Sequence, residues 1–259
     1  GSGPVFVYSG NGSQWLGMGR SLLGDSIFHA AISEIDGYFR PLSGYSLLED
    51  LAGALDRDGR YSLTEIAQPA LFAVQVGVTR MLAERGVRPQ AVYGHSVGEV
   101  AAAWACGALD LATATQVIYQ RSRLQALTRG SGEMSAVGLS GALTADLLEE
   151  LGLQAELCVA GENSHRGATV AGSPQALARL EQALNERQTF VRRLDLAYAF
   201  HSPAMDPIRE ELVAVLQGIQ PQPSKIPFFS TVTGELLAGE RLDAEYWWKN
   251  IRFPVLFQG

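Results

Sequence analysis

The chain has 259 residues, of which 47% are apolar, and its formal net charge at pH 7 is −7. This length supports one large globular domain or two unequal units. An acidic chain without a basic run argues against a nucleic-acid surface, and no uninterrupted apolar stretch is long enough to span a membrane. The two cysteines, Cys106 and Cys158, form no CxxC motif, which favours a reducing compartment and no structural zinc. No signal peptide is recognisable, so we expect a cytoplasmic location.

The first half of the chain alternates strand-like and helix-like segments. The apolar run PVFVYSG predicts a buried strand, which leads through the glycine-rich stretch GNGSQWLGMG into a helix. The segment QPALFAVQVGVTRMLAERG predicts a helix, because apolar residues recur at Leu71, Val74, Val78 and Leu82. VRPQAVY predicts a second strand, and helices follow over residues 99–106 and 112–127. Strands that alternate with helices predict an α/β fold with a parallel sheet covered on both faces.

The middle of the chain has a different order of elements. The segments GEMSAVGLS, TADLLEEL, AELCVAGE, GATVAGS, PQALARLEQALNER and FVRRLDL predict a strand, a helix, two strands, a helix and a strand. This βαββαβ order is the ferredoxin-like pattern. The sequence therefore predicts a large unit made of residues 1–128 and 197–259, with a small ferredoxin-like unit, residues 129–196, inserted into it.

One serine lies between a predicted strand and a predicted helix. Ser96 is flanked by Gly94 and Gly98 in a G-x-S-x-G pattern, and glycines at these positions let two backbones pass closely in a sharp turn. The turn places the hydroxyl at a helix N-terminus, where unpaired N–H groups favour the negative charge of an acyl-transfer intermediate. A five-residue pattern occurs by chance, but the strand–turn–helix context favours a nucleophile.

A serine nucleophile needs a base, and the chain has four histidines. His29 lies in a polar helical stretch and His165 in a polar loop, so both are interpreted as solvated residues. His95 adjoins Ser96 on the strained turn, so its side chain is expected to point elsewhere, to packing or to substrate. His201 follows an apolar segment and precedes a Ser-Pro loop start, which leaves it as the candidate base.

An arginine interrupts the apolar stripe of the helix over residues 112–127. Ala114, Val117, Arg121 and Leu124 follow helical spacing on one face, whereas Arg123 projects elsewhere. A buried arginine is costly unless it meets an anion. Two interpretations stay open for Arg121: a structural ion pair with an Asp or Glu, or a bidentate clamp for a substrate carboxylate.

These motifs together resemble an acyltransferase domain of a modular polyketide synthase, a relative of malonyl-CoA:acyl carrier protein transacylases. Six segments resemble family motifs in family order, and they run along essentially all the chain: GNGSQWLGMG, QPALFAVQ, GHSVGEVAAAWACGALDL, the Arg-Ser pair at 121–122, FHSPAMDPI and YWWKNIRFPV. The resemblance implies an α/β-hydrolase-like large subdomain plus a ferredoxin-like small subdomain. It also implies ping-pong acyl transfer with no bound metal or cofactor.

The resemblance assigns roles to residues of this chain. Ser96 would attack the thioester of an acyl-CoA, and His201 would take its proton. A backbone carbonyl, at Asn250, would orient the histidine, and the backbone N–H groups of Asn11 and Val97 would hold the oxyanion.

The family also assigns residues and partners to the acyl group. Arg121 would bind the free carboxylate of a malonyl-type extender, and Gln14, His95, Tyr198 and Phe200 would contact substrate. The acyl group would pass to the phosphopantetheine thiol of an acyl carrier protein, with a ketosynthase and other domains of the same synthase as further partners.

The chain departs from the family pattern at three places. Asn11 stands where the opening motif usually has glutamine. The motif Tyr198-Ala199-Phe200-His201 mixes the malonyl-selecting HAFH and the methylmalonyl-selecting YASH patterns, and Phe200 with Val97 favours malonyl over methylmalonyl or a rarer extender. Family members continue past NIRFPV with a further helix and strand, so the large unit is expected to be C-terminally incomplete.

Two other functions stay open. An α/β-hydrolase-type esterase or thioesterase would share the nucleophile turn, but it normally supplies an Asp or Glu to its histidine and has no use for Arg121. A catalytically incomplete fragment acting as a docking domain would fail to acylate Ser96.

Overall fold

The computed structural model describes residues 3–258, and backbone contacts divide them into two compact units with a mixed α/β fold. The first unit takes the chain up to Ala126 and adds Leu212–Ser230 and Glu235–Trp247. The second unit takes Leu127–Glu211, Thr231–Gly234 and the chain from Trp248.

Helices and strands alternate in the order that the following bounds give. The α-helices of the described residues are α1 (Ser26–Ser43), α2 (Leu47–Ala52), α3 (Thr64–Glu84), α4 (Gly98–Ala105), α5 (Leu111–Ala126), α6 (Gly141–Glu150), α7 (Pro174–Glu186), α8 (Arg209–Leu216) and α9 (Ala244–Arg252). The strands are β1 (Val5–Tyr8), β2 (Ala91–Gly94), β3 (Glu133–Val137), β4 (Leu157–Ser164), β5 (Gly167–Gly172), β6 (Val191–Arg193), β7 (Phe228–Ser230), β8 (Glu235–Leu237) and β9 (Val255–Leu256).

The sheet of the first unit has the order β1-β2-β7-β8. β1 pairs in parallel with β2, as Val5 lies opposite Ala91, and β2 pairs in parallel with β7. The predicted parallel arrangement of the first two strands is therefore confirmed, whereas β8 adds an antiparallel edge that the alternation did not predict. Helix α3 packs against both α1 and α5, which places three helices around one apolar core.

Helix α3 is long and apolar enough, by composition, to cross a membrane, and it is the single such candidate among residues 3–258. More than half of its most apolar window is buried inside the protein. Core helices of soluble proteins have the same character, so this helix does not indicate a membrane protein.

The second unit contains the βαββαβ order over β3, α6, β4, β5, α7 and β6. Its sheet has the order β6-β3-β5-β4-β9, with antiparallel pairs among the first four strands. Helices α6 and α7 bury their leucines against this sheet, and the core of the unit contains Val137, Leu147, Leu148, Leu153, Leu157, Ala168, Val170, Ala176, Leu177, Leu180 and Leu184.

The predicted division, which placed all of residues 197–259 in the large unit, needs correction. Residues 197–211, 231–234 and 248–259 belong to the second unit. The reason is hydrogen bonding: β9 pairs in parallel with β4, and the N–H of His201 donates to the carbonyl of Ile251 at 3.0 Å. These bonds tie two chain segments to the second sheet, and periodicity does not predict such long-range pairs.

Candidate active site

Ser96 lies on the sharp turn that the G-x-S-x-G pattern predicts, between β2 and α4. Its φ of 54° falls in the left-handed region, which is strained for a residue with a Cβ. The N–H of Glu99 donates to the carbonyl of Ser96 at 3.0 Å, so the helix starts directly behind the serine. Strain of this kind persists where the surrounding structure over-determines the backbone, which is typical of functional sites.

The two glycines of the pattern are required by close backbone contacts. A Cβ at Gly94 would lie 2.2 Å from the carbonyl carbon of Gly98, and a Cβ at Gly98 would lie 2.2 Å from the carbonyl oxygen of Tyr8. Neither position can hold a side chain without moving the backbone. The turn therefore packs tightly on itself and on the end of β1.

The glycine-rich loop after β1 lies on the same turn. A Cβ at Gly10 would lie 2.6 Å from the backbone oxygen of His95 and 2.8 Å from its Nδ1, so His95 directs its imidazole toward this loop. Asn11 follows Gly10 directly. The N–H of Gly12 donates to Oε1 of Gln14 at 2.8 Å, so the contact shown for Gln14 holds the loop.

Arg121 on α5 reaches the nucleophile within the first unit. Its NH2 group donates to Ser96 Oγ at 2.9 Å, and its NH1 group donates to Gln68 Oε1 at 2.5 Å and to Gln125 Oε1 at 2.8 Å. The guanidinium is fully buried, as its place on the apolar stripe predicts. These three partners are neutral, so the contacts hold the cation in place and supply no counter-charge.

Burial lowers the pKa of Arg121 to about 9, while the nearby carboxylate of Glu99 acts in the opposite direction. Glu99 is itself buried in the first turn of α4. The hydroxyl of Tyr246 donates to Glu99 Oε2 at 2.7 Å, and Ser230 Oγ lies 2.8 Å from the Tyr246 hydroxyl oxygen. Arg121 is therefore protonated at neutral pH beside the serine.

His201 lies in the second unit and has a φ of 59°. Its Nδ1 lies 2.9 Å from the carbonyl oxygen of Phe253. A carbonyl can only accept a hydrogen bond, so Nδ1 carries the proton in the neutral ring and Nε2 keeps its lone pair. This is the tautomer that a general base requires.

The prediction that the Asn250 carbonyl orients His201 is corrected by this contact, since the bond to Nδ1 is made by Phe253. Asn250 lies inside α9, whose last residue is Arg252. Phe253 stands one residue beyond the helix and directly before Pro254. Its carbonyl is therefore not part of the helical hydrogen-bond ladder and turns to the imidazole.

The two aromatic residues before His201 form a stacked pair. The rings of Tyr198 and Phe200 lie 4.8 Å apart between centroids, with 11° between their planes, and both are buried. They belong to the second unit together with His201. The remaining histidines have the polar surroundings expected of them: His29 Nδ1 lies 3.3 Å from Ser33 Oγ, and His165 contacts Gln258, both at exposed positions.

Gln68 and Gln125 are site residues that the sequence analysis did not identify. Both are at most 1% exposed and hold Arg121. The available signal was position: Gln125 follows Arg121 by one helical turn, and Gln68 starts a segment that resembles a family motif. In the part of the chain that the structure describes, no cluster of three His, Cys, Asp or Glu side chains could hold a metal ion.

Comparison with known proteins places this site in a family. The family model described as "Acyl transferase domain" matches residues 5–259. A polyketide synthase of Streptomyces halstedii is 40% identical over 98% of this chain, which spans only 3% of that synthase. The acyltransferase domain from module 8 of the salinomycin polyketide synthase matches with a TM-score of 0.92 and 36% identity, over 98% of this chain and 59% of that one.

A malonyl-CoA:acyl carrier protein transacylase of Burkholderia pseudomallei also has the same fold. Its TM-score is 0.85 and its identity 27%, over 98% of this chain and 84% of that one. The fold and the buried serine define an enzyme of acyl transfer. The chain belongs to the acyl transferase domain family, and its homologues are the acyltransferase domains of polyketide synthases.

Proposed function

We propose that the chain loads a malonyl-type extender unit from acyl-CoA onto the phosphopantetheine thiol of an acyl carrier protein, in polyketide biosynthesis. The observation that carries the proposal is the 2.9 Å hydrogen bond from Arg121 NH2 to Ser96 Oγ. A carboxylate-binding cation next to the nucleophile selects acyl groups that carry a second, free carboxylate.

In the first half-reaction Ser96 Oγ attacks the thioester carbonyl and gives its proton to Nε2 of His201. The backbone N–H groups of Asn11 and Val97 stabilise the oxyanion, at the glycine-rich loop and at the N-terminus of α4. The carbon–sulfur bond breaks, CoA leaves as the thiol with the proton from His201, and the acyl group stays on Ser96 as an ester.

In the second half-reaction the carrier thiol attacks the ester and gives its proton to His201. The carbon–oxygen bond breaks and Ser96 recovers its proton. Both steps need a neutral imidazole with a lone pair at Nε2, and the carbonyl of Phe253 beside Nδ1 supports that assignment. No cofactor takes part in either step as we propose them.

The histidine environment also bears on the esterase alternative. A hydrolase of the α/β-hydrolase type normally orients its histidine with an Asp or Glu, whereas a backbone carbonyl contacts His201 Nδ1 here. We therefore place this chain with the transferases.

The proposal includes the fold and the setting of the enzyme. The first unit is α/β-hydrolase-like and the second is ferredoxin-like, and the strand orders β1-β2-β7-β8 and β6-β3-β5-β4 support this assignment. Malonyl is preferred over methylmalonyl because Phe200 fills the space of an α-methyl group. Ketosynthase and carrier domains of the same synthase are the expected partners, in the cytoplasm.

Transfer to a carrier tests the proposed function. Malonyl-CoA is incubated with the chain and a phosphopantetheinylated acyl carrier protein, and the malonyl-carrier and free malonate are both quantified. We expect malonyl-carrier as the main product. Release of malonate at the same rate with and without carrier would support a thioesterase instead.

A further inference from the structure

Two buried amides hold the cation of the proposed site. Gln68 on α3 and Gln125 on α5 each accept a hydrogen bond from Arg121 NH1, at 2.5 Å and 2.8 Å. NH1 has two hydrogens, so these two bonds commit both of them. The guanidinium is thereby held by one end, and its NH2 group, 2.9 Å from Ser96 Oγ, lies on the side of the nucleophile.

A hydroxyl fixes which way the Gln68 amide points. Gln68 Nε2 donates to Thr64 Oγ1 at 2.6 Å and to Gln125 Oε1 at 2.8 Å. With its nitrogen committed to two acceptors, Gln68 must turn its oxygen to Arg121. Gln125 Oε1 accepts from both Gln68 and Arg121, so the two amides support one another.

The chemical type of these two residues affects the charge of the site. Amide oxygens accept hydrogen bonds from a guanidinium without neutralising it. A carboxylate at either place would form a buried ion pair with NH1, since 2.5–2.8 Å is ion-pair distance. Glu99 already acts on Arg121 through its charge, and Tyr246 hydrogen-bonds to that carboxylate. A second carboxylate would compete directly with an anionic ligand.

We propose that Gln68 and Gln125 are specificity-determining positioning residues: they orient Arg121 by one nitrogen while leaving its charge to select a carboxylated acyl group. This inference rests on the proposed function, because it assumes that Arg121 binds the extender's carboxylate. The two glutamines act through Arg121 and do not take part in the chemical steps.

Glutamine-to-glutamate variants test the inference. Gln125→Glu and Gln68→Glu keep side-chain size and place an anion on NH1. We expect the ratio of kcat/KM for malonyl-CoA to kcat/KM for acetyl-CoA, measured as Ser96 acylation, to fall about tenfold or more, through a higher KM for malonyl-CoA. The control is Gln120→Glu on the same helix, whose amide oxygen accepts from Arg123 and not from Arg121. Its ratio is expected to match the wild type.

Folding is followed by circular dichroism and thermal melting for each variant. The two positions deliver the anion to the same nitrogen, so a folded variant at either one decides the outcome. Thr64→Val adds a third, milder change: loss of the hydroxyl lets the Gln68 amide turn, and the ratio is expected to fall several-fold. A structural role alone would lower acylation by malonyl and acetyl equally.

The outcomes separate this inference from the proposed function. A wild type that prefers malonyl-CoA, with the same preference in folded Gln68→Glu, Gln125→Glu and Thr64→Val, would overturn the inference alone. A wild type that shows no preference for malonyl-CoA over acetyl-CoA would overturn the proposed function and the inference with it.

Discussion

Replacing Arg121 with alanine removes the guanidinium whose NH2 group lies 2.9 Å from Ser96 Oγ. The variant also leaves the amide oxygens of Gln68 and Gln125 without the donor that they share in the native protein. For an acyl group with a free carboxylate, the change removes a planar donor that matches it with two parallel hydrogen bonds. For an acetyl group it removes nothing that the substrate contacts.

The magnitude follows from the worth of a charged hydrogen bond. Such a bond contributes about 1.5–3 kcal/mol, and ~1.4 kcal/mol corresponds to tenfold in an equilibrium or rate ratio. Loss of the clamp, with water replacing part of it, therefore lowers the kcat/KM for malonyl transfer by about 10–10³-fold. Arg121→Lys is expected to recover only part of this, because an ammonium is a point charge rather than a fork.

The assay compares initial rates of Ser96 acylation by malonyl-CoA and acetyl-CoA in the wild type and in Arg121→Ala. Arg123→Ala is the matched control, since Arg123 lies on the same helix and donates to Gln120. The control is expected to keep the wild-type ratio. Equal losses for malonyl and acetyl in Arg121→Ala would mean that the arginine is structural, and the reasoning from the Arg121–Ser96 contact would be refuted.

Three further outcomes are expected. His201→Ala slows acylation by about 10²–10⁴-fold, as removal of a general base does, while His165→Ala changes it little; the reverse order of effects would identify the wrong histidine. Phe200→Ser removes the ring stacked on Tyr198 and raises methylmalonyl relative to malonyl loading in direct competition by roughly tenfold; a wild type that already prefers methylmalonyl contradicts the steric argument. Because the pKa of Arg121 is lowered to about 9, its charge is present at neutral pH and is lost as the pH rises through that value. The malonyl-to-acetyl ratio is therefore constant at about pH 7–8 and falls above about pH 9, and an unchanged ratio at about pH 10 would argue against a role for this charge.

Local patterns predicted the parts of the site that depend on neighbouring residues in the chain. The G-x-S-x-G pattern predicted the strained turn at Ser96, because glycine spacing and chain direction alone set its geometry. Helical spacing predicted the burial of Arg121, which is 0% exposed. The first two parallel strands and the βαββαβ order followed from the same periodicities.

Long-range contacts were beyond this kind of prediction. The carbonyl that contacts His201 belongs to Phe253, 52 residues away in the chain, and its choice depends on where α9 ends. Gln68 is 53 residues from Arg121, and a glutamine on a helix is usually solvated, so its burial had no local signal. The pairing of β9 with β4 likewise assigns the end of the chain to the second unit.

The most direct test of the central claim, that Ser96 is the acylated nucleophile of a malonyl-type transferase, is intact-mass analysis after incubation with malonyl-CoA. We expect the wild type to gain the mass of one malonyl group, located on the peptide that contains Ser96, and Ser96→Ala to gain none while keeping its fold. An adduct of undiminished yield on Ser96→Ala, or a wild type that takes up no acyl group from any of malonyl-CoA, methylmalonyl-CoA and acetyl-CoA, would contradict the claim.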